Sequence, residues 1–186
     1  MSEKIIKVAT PEKPENIEVR RAEAGDLDSI TSLALAFEQE LREERGEAPT
    51  DMESEKEKLR SIYSDRLSNM VVQGLRNFIF LAIDTSKNKP VGFIVGHVPD
   101  PKPEGSFYAL RRGRYVLPEY REKGISRQLA QEFNSAVKSY GASHIEFEVQ
   151  EGGKGHNFLT KDATFLKYIP EENGRRRLRF SANLGD

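Results

Sequence analysis

A chain of 186 residues is the size of one domain and can bury a sizeable core, and its 32% charged and 37% apolar residues fit a soluble globular protein. The formal net charge of −1 argues against a wholesale nucleic-acid or membrane binder. Cysteine is absent, which removes disulfides, thiolate metal sites and a cysteine acyl-enzyme together.

Met1 to Asn16 is polar, carries Pro11 and Pro14, and reads as a mobile leader ahead of one domain over residues 17–186. It lacks the apolar core of a signal peptide, and no run reaches membrane-spanning length, so a cytoplasmic location is expected. A short strand with Ile17 and Val19 on one face comes first. Asp26 is placed to N-cap a helix with the stripe Leu27, Ile30, Ala34, Phe37 and Leu41. Gly46 and Pro49 interrupt it, and Thr50 with Glu53 makes a capping box for a second helix carrying Leu59, Ile62, Tyr63, Leu67 and Met70. "NFIFLAID" is a strand buried on both faces, and "TSKNKP" turns it into the returning strand "VGFIVGHV". After the Pro-rich "DPKPEG", "SFYALRRGRYVL" is a third long strand, stopped by Pro118. A helix beginning at Gly124 turns Ile125, Leu129, Phe133, Ala136 and Val137 to the core, with Gly141 at its C′ position. "SHIEFEVQ" alternates, with Ile145, Phe147 and Val149 inward. "EGGKGHN" is a loop, "LTKDATFLKYI" a short helix and "RRRLRFSANL" a terminal strand.

The chemistry concentrates in "VLPEYREKGISRQL", where a strand end becomes a helix start. Unpaired N–H groups and the positive end of the helix dipole converge there, which makes an anion site. Gly124 removes the Cβ that would block backbone approach, and Arg121, Lys123 and Arg127 add charge. A dinucleotide fingerprint needs G-x-G-x-x-G early in a βαβ unit, and "GGKGH" has its last Gly after the Lys, so neither that motif nor a P-loop is present. His97, His144 and His156 show no metal-ligand spacing, and no metal is expected.

Arg121-Glu122-Lys123-Gly124-Ile125-Ser126, preceded by Val116-x-Pro118-x-Tyr120, resembles the Q/R-x-x-G-x-G/A motif of the GNAT superfamily of acyl-CoA-dependent N-acetyltransferases. Ser126 stands where Gly or Ala is usual. Val19-Arg20-x-Ala22 with Asp26 is similar to a common opening of that family, and Phe147-Glu148-Val149 to a Leu-Glu-Val segment of its amino-terminal acetyltransferases. The resemblance covers about residues 17 to 181. It implies an α/β (α+β) fold with a mixed, mostly antiparallel central sheet flanked by helices, in the order β-α-α-β-β-β-α-β-α-β. It further implies acetyl-CoA as co-substrate, held by Tyr115, Val116, Leu117, the Arg121–Ser126 motif, Arg127 and Asn157.

Direct transfer to an amine needs a proton acceptor, an oxyanion donor and a proton for the departing thiolate. The resemblance places the oxyanion donor near Val116. Glu148 is the candidate base, with Glu146 on the same face, and Tyr168 the candidate acid. Each also has a plainer reading: a solvated carboxylate for either Glu, a packing aromatic for Tyr168. Arg111, Arg112 and Arg114 interrupt the third strand, Arg112 and Arg114 sharing the face of Val116. They suit an acidic or phosphorylated acceptor, or form a solvent face of a splayed strand, and Arg175, Arg176, Arg177 and Arg179 pose the same choice. The acidic stretch from Glu38 to Glu57 is a solvated helix pair or a surface for a polyamine. The acceptor stays open among small amines, peptide amino termini and lysine. No nucleic-acid or membrane partner is expected, and a homodimer is left open. The alternative from another class is a non-catalytic acyl-CoA-binding sensor or interaction module on the same fold.

Overall fold

Alternating and fully apolar runs set the strands, and the two longest, β3 (Leu75–Asp84) and β4 (Lys89–Pro99), form the hairpin at the centre. Residues 77–82 and 91–98 are buried throughout, as two-sided burial between helices requires. The computed structural model describes residues 16–68, 71–72, 75–99, 107–150, 163–170 and 176–184. The leader, "DPKPEG" and "EGGKGHN" with Asn157 therefore lie outside the described residues.

The other strands are β1 (Ile17–Arg21), β2 (Val71–Val72), β5 (Tyr108–Val116), β6 (His144–Gln150), β7 (Ala163–Pro170) and β8 (Arg176–Asn183). Among the described residues these eight form one sheet in the order β1-β3-β4-β5-β6-β8-β7, with β2 beside β3. The β5–β6 pair is parallel and the rest antiparallel. Helices α1 (Leu27–Arg45) and α2 (Met52–Ser68) cover one face, α3 (Ile125–Ser139) the other. The mixed, mostly antiparallel sheet flanked by helices is thus as expected.

Helix α3 follows its 3.6-residue period: Ile125, Leu129, Phe133 and Val137 are all buried, each worth about 1.5–3 kcal/mol of apolar transfer. It ends in a Schellman motif, the Gly141 N–H donating to Lys138 O (2.8 Å) and the Ala142 N–H to Val137 O (3.0 Å). On the opposite face Ile30, Leu33, Ala34, Leu59 and Tyr63 meet Leu81, Phe93 and Tyr115. No described helix is long and apolar enough to cross a membrane.

Three local expectations change. The cap of α2 is Asp51, whose Oδ1 accepts the Glu53 N–H at 3.2 Å, rather than Thr50. Ile62 is exposed, because the core-facing side of that helix is Leu59 and Tyr63, with Leu67 packed partly buried against them. The described part of "LTKDATFLKYI" is not a helix: Ala163–Pro170 is an edge strand paired antiparallel with β8, where ladder bonds to β8 outweigh a one-helix reading of its apolar residues.

Candidate functional site

After β5, Pro118–Tyr120 forms a short 3-10 turn, then Glu122 (φ 63°) and Gly124 (φ 77°) take left-handed backbone before α3 starts. The N–H groups of Arg127 and Gln128 donate back to Gly124 O at 3.0 and 3.1 Å. Arg121 and Glu122 form a turn closed by the Lys123 N–H, while the N–H groups of Glu122, Gly124, Ile125 and Ser126 find no backbone acceptor among the described residues. Four donors at the positive end of a fifteen-residue helix make the kind of nest that suits a polyanion. A coenzyme A pyrophosphate fits this donor set.

Charged side chains of the motif support the turn more than they face a ligand. Arg121 donates from Nε to Val116 O (3.0 Å) and from both terminal nitrogens to the Glu40 carboxylate on α1. Lys123 Nζ donates to Glu119 O at 2.9 Å, and Arg127 is exposed. Tyr120 is buried, its hydroxyl donating to Asp84 Oδ2 (2.8 Å) and accepting from Lys87 Nζ (3.2 Å). Glu40 and Asp84 come from distant elements and carry no local sequence signal. Only the fold reveals them.

Beside the turn, β5 and β6 part. Their pairing runs from Tyr108↔His144 to Arg111↔Phe147 and stops. The Leu117 N–H donates to Val91 O on β4 at 2.9 Å. Strand alternation therefore turns the Val116 N–H the other way, into the gap that β6 has left. Tyr115 packs its ring under Phe37, 5.6 Å between centroids, and burial raises its phenol pKa.

A register shift within the β4–β5 ladder changes which arginines go together. Val95 pairs with Gly113 and Gly96 with Arg111, so Arg112 is a bulged extra residue. Arg112 does not share the face of Val116, as the uninterrupted alternation would have it. It lies on the α1/α2 face, where Glu148, Arg179, Arg66 and Arg177 are its electrostatic neighbours. On that face Glu148 accepts from Arg177 Nη1 (2.8 Å) and from Arg179 Nε (3.1 Å) and Nη2. Glu146 accepts from Arg179 Nη1 at 3.3 Å and lies 3.9 Å from His144. Arg177 and Arg179 therefore anchor the two carboxylates, which is more than a solvent face. His97, on β4, is 7% exposed, and burial pushes its pKa down to about 4 with repulsion from Arg112 and Arg66 adding to it.

Tyr168 occupies the β7 position paired with Leu178, and Glu148 pairs with Arg179. The neighbours Leu178 and Arg179 present opposite faces of β8, and β8 and β6 both stand between β7 and β5. Among the described residues Tyr168 lies on a strand, not on the helix docked beside β5 on which its acid role depended.

The sequence matches the model of the "Acetyltransferase (GNAT) family" over residues 36–161. No curated protein matches it. Among solved structures, PaiA N-acetyltransferase from Thermoplasma acidophilum in complex with coenzyme A is similar at 19% identity and TM-score 0.64, over 90% of this chain and 98% of that one. Ard1 from Thermoplasma volcanium is similar at 14% identity and TM-score 0.63, over 92% and 99%. An acetyltransferase of the GNAT family from Staphylococcus aureus Mu50 is similar at 14% and TM-score 0.63, over 91% and 99%. At these identities the structural likeness concerns the fold.

Proposed function

The chain belongs to the acetyltransferase (GNAT) family, and from that premise we propose that it moves an acetyl group from acetyl-CoA directly to a primary amine, with a peptide amino terminus as the favoured acceptor. The observation that carries the donor half is the set of four N–H groups, of Glu122, Gly124, Ile125 and Ser126, without backbone acceptors among the described residues at the start of α3. Leu117, Tyr115 and Val116 line the approach along β5, and Asn157 is kept as a further contact. The acceptor half rests on the Phe147-Glu148-Val149 segment and the arginine-framed carboxylates beside the β5–β6 gap.

In this reading the neutral amine attacks the thioester carbonyl, and the carbonyl oxygen draws on the Val116 N–H as it gains charge. The C–S bond breaks as the C–N bond forms. Glu148 takes the amine proton through water, releasing one guanidinium bond to do so. The thiolate, whose thiol has an ordinary pKa of about 8.5, is protonated from water, and Glu148 gives its proton back to that water. Tyr168, on the edge strand, is left without that task.

Incubation of the purified protein with acetyl-CoA and a panel of small amines, lysine-containing peptides and free amino-terminal peptides, read by thiol release, tests the proposal. Peptide amino termini should give the fastest release. Acetyl-CoA binding without release on any amine would instead indicate a sensor or interaction module.

A further inference from the structure

Arg111 and Arg114 flank the point where β5 leaves β6. Arg111 is the last residue of β5 paired with β6, and Arg114 follows the bulge. Both lie on the α3 face. Arg111 pairs with Gly96, where an added Cβ would meet Phe133 of α3 at 2.6 Å, and Arg114 pairs with Ile94 of the α3-side core. Both side chains are half-buried. Among the described residues neither guanidinium has a carboxylate or carbonyl acceptor, and Arg111 has instead the Phe147 ring, 4.3 Å from its central carbon to the centroid. Burial pushes the Arg111 pKa down to about 9, with the neighbouring Arg114 cation adding to it, and burial lowers Arg114 as well. Two partly buried cations set beside one another repel, and an anion held between them relieves that repulsion.

The anion has a defined direction of approach. The nest of N–H groups opens at the N-terminus of α3, on this same face, and Arg114 precedes Leu117 by three residues, about 10 Å of extended strand. Arg111 is about 20 Å back. A donor seated by its pyrophosphate in the nest, with its arm laid along β5, brings its acyl end toward these two residues. We propose that Arg111 and Arg114 form a carboxylate site for the acyl group, so that the protein takes, besides acetyl-CoA, donors whose acyl chain ends in a carboxylate, such as succinyl-CoA. The inference rests on the acyl-CoA reading above and adds a donor class to it.

Calorimetric titration of the whole chain with free coenzyme A, acetyl-CoA and succinyl-CoA, without acceptor, separates the two. Succinyl-CoA should bind about tenfold more tightly than acetyl-CoA. In Arg114→Leu and Arg111→Leu that advantage should vanish while acetyl-CoA affinity holds, and Arg114→Lys should keep part of it. Each Leu variant, freed of one of two mutually repelling cations, should also melt no lower than the wild type without ligand, so loss of folding would itself count against the site. Equal wild-type affinity for the two thioesters, or an advantage that survives both Leu variants, overturns the carboxylate site alone. Failure of all three ligands to bind overturns the acyl-CoA reading with it.

Discussion

At Gly124 the backbone sits at φ 77° among four open N–H donors, so any side chain there is strained and stands in the proposed anion's place. Acetyl-CoA should raise the melting temperature of the wild type, because a ligand that binds only the native state stabilises it by mass action. Gly124→Glu should abolish that rise, and a folded variant with an undiminished shift would remove the nest from donor binding. At Glu148 the question is which of two carboxylates accepts the proton. Glu148→Gln should keep acetyl-CoA binding and slow turnover on the order of a hundredfold, whereas Glu146→Gln should change it little. The reverse ranking would pass the role to Glu146. The motif and both carboxylates were singled out in the sequence through the family resemblance. Their arginine clamp was not, because Arg177 and Arg179 reach Glu148 only through the β6–β8 ladder.

Elements are tied to the site by a few buried polar bonds. Asp84 at the end of β3 accepts from Tyr120, which fixes the β3–β4 turn against the turn that precedes α3. Asp84 also accepts from the Ser86 N–H (3.0 Å) and hydroxyl (2.6 Å). Tyr120→Phe removes the hydroxyl bond without changing packing volume. It should lower the melting temperature by roughly 5 °C and weaken acetyl-CoA binding, since the nest loses its brace. An unchanged melt and affinity would reduce the bond to an incidental contact. At this scale α3, β3, β4 and β6 were legible because their periods of 3.6 or 2, or their continuous apolar runs, admit one reading. "ATFLKYI" was misread because its apolar residues suit a short helix as well as a strand, and only pairing with β8 decides. The bulge at Arg112 left no trace in the sequence, since it depends on how β4 and β5 align, and it exchanged the faces of Arg111 and Arg112.

For the molecule as a whole, acid should act through two buried groups in successive pH windows. The folded imidazole of His97 titrates at about 4, against an ordinary 6.5, so between those values the unfolded chain binds a proton that the folded chain refuses. Stability therefore falls as pH drops from 6.5 to 4, and His97 contributes no further loss below that. Asp84 is held at about 2 against an ordinary 3.8, first by the Ser86 and Tyr120 hydroxyl bonds, so its stabilisation is present above 3.8 and is lost as pH falls through 2. Glu38, raised by burial, works in the opposite direction and offsets part of the upper decline. Urea midpoints measured from pH 7 to 2 should fall through both windows. His97→Asn should flatten the curve between pH 6.5 and 4 relative to wild type, leaving the Asp84 window and the Glu38 contribution in place. A variant whose midpoint declines as steeply as the wild type across that upper window would assign the acid sensitivity to a group other than His97.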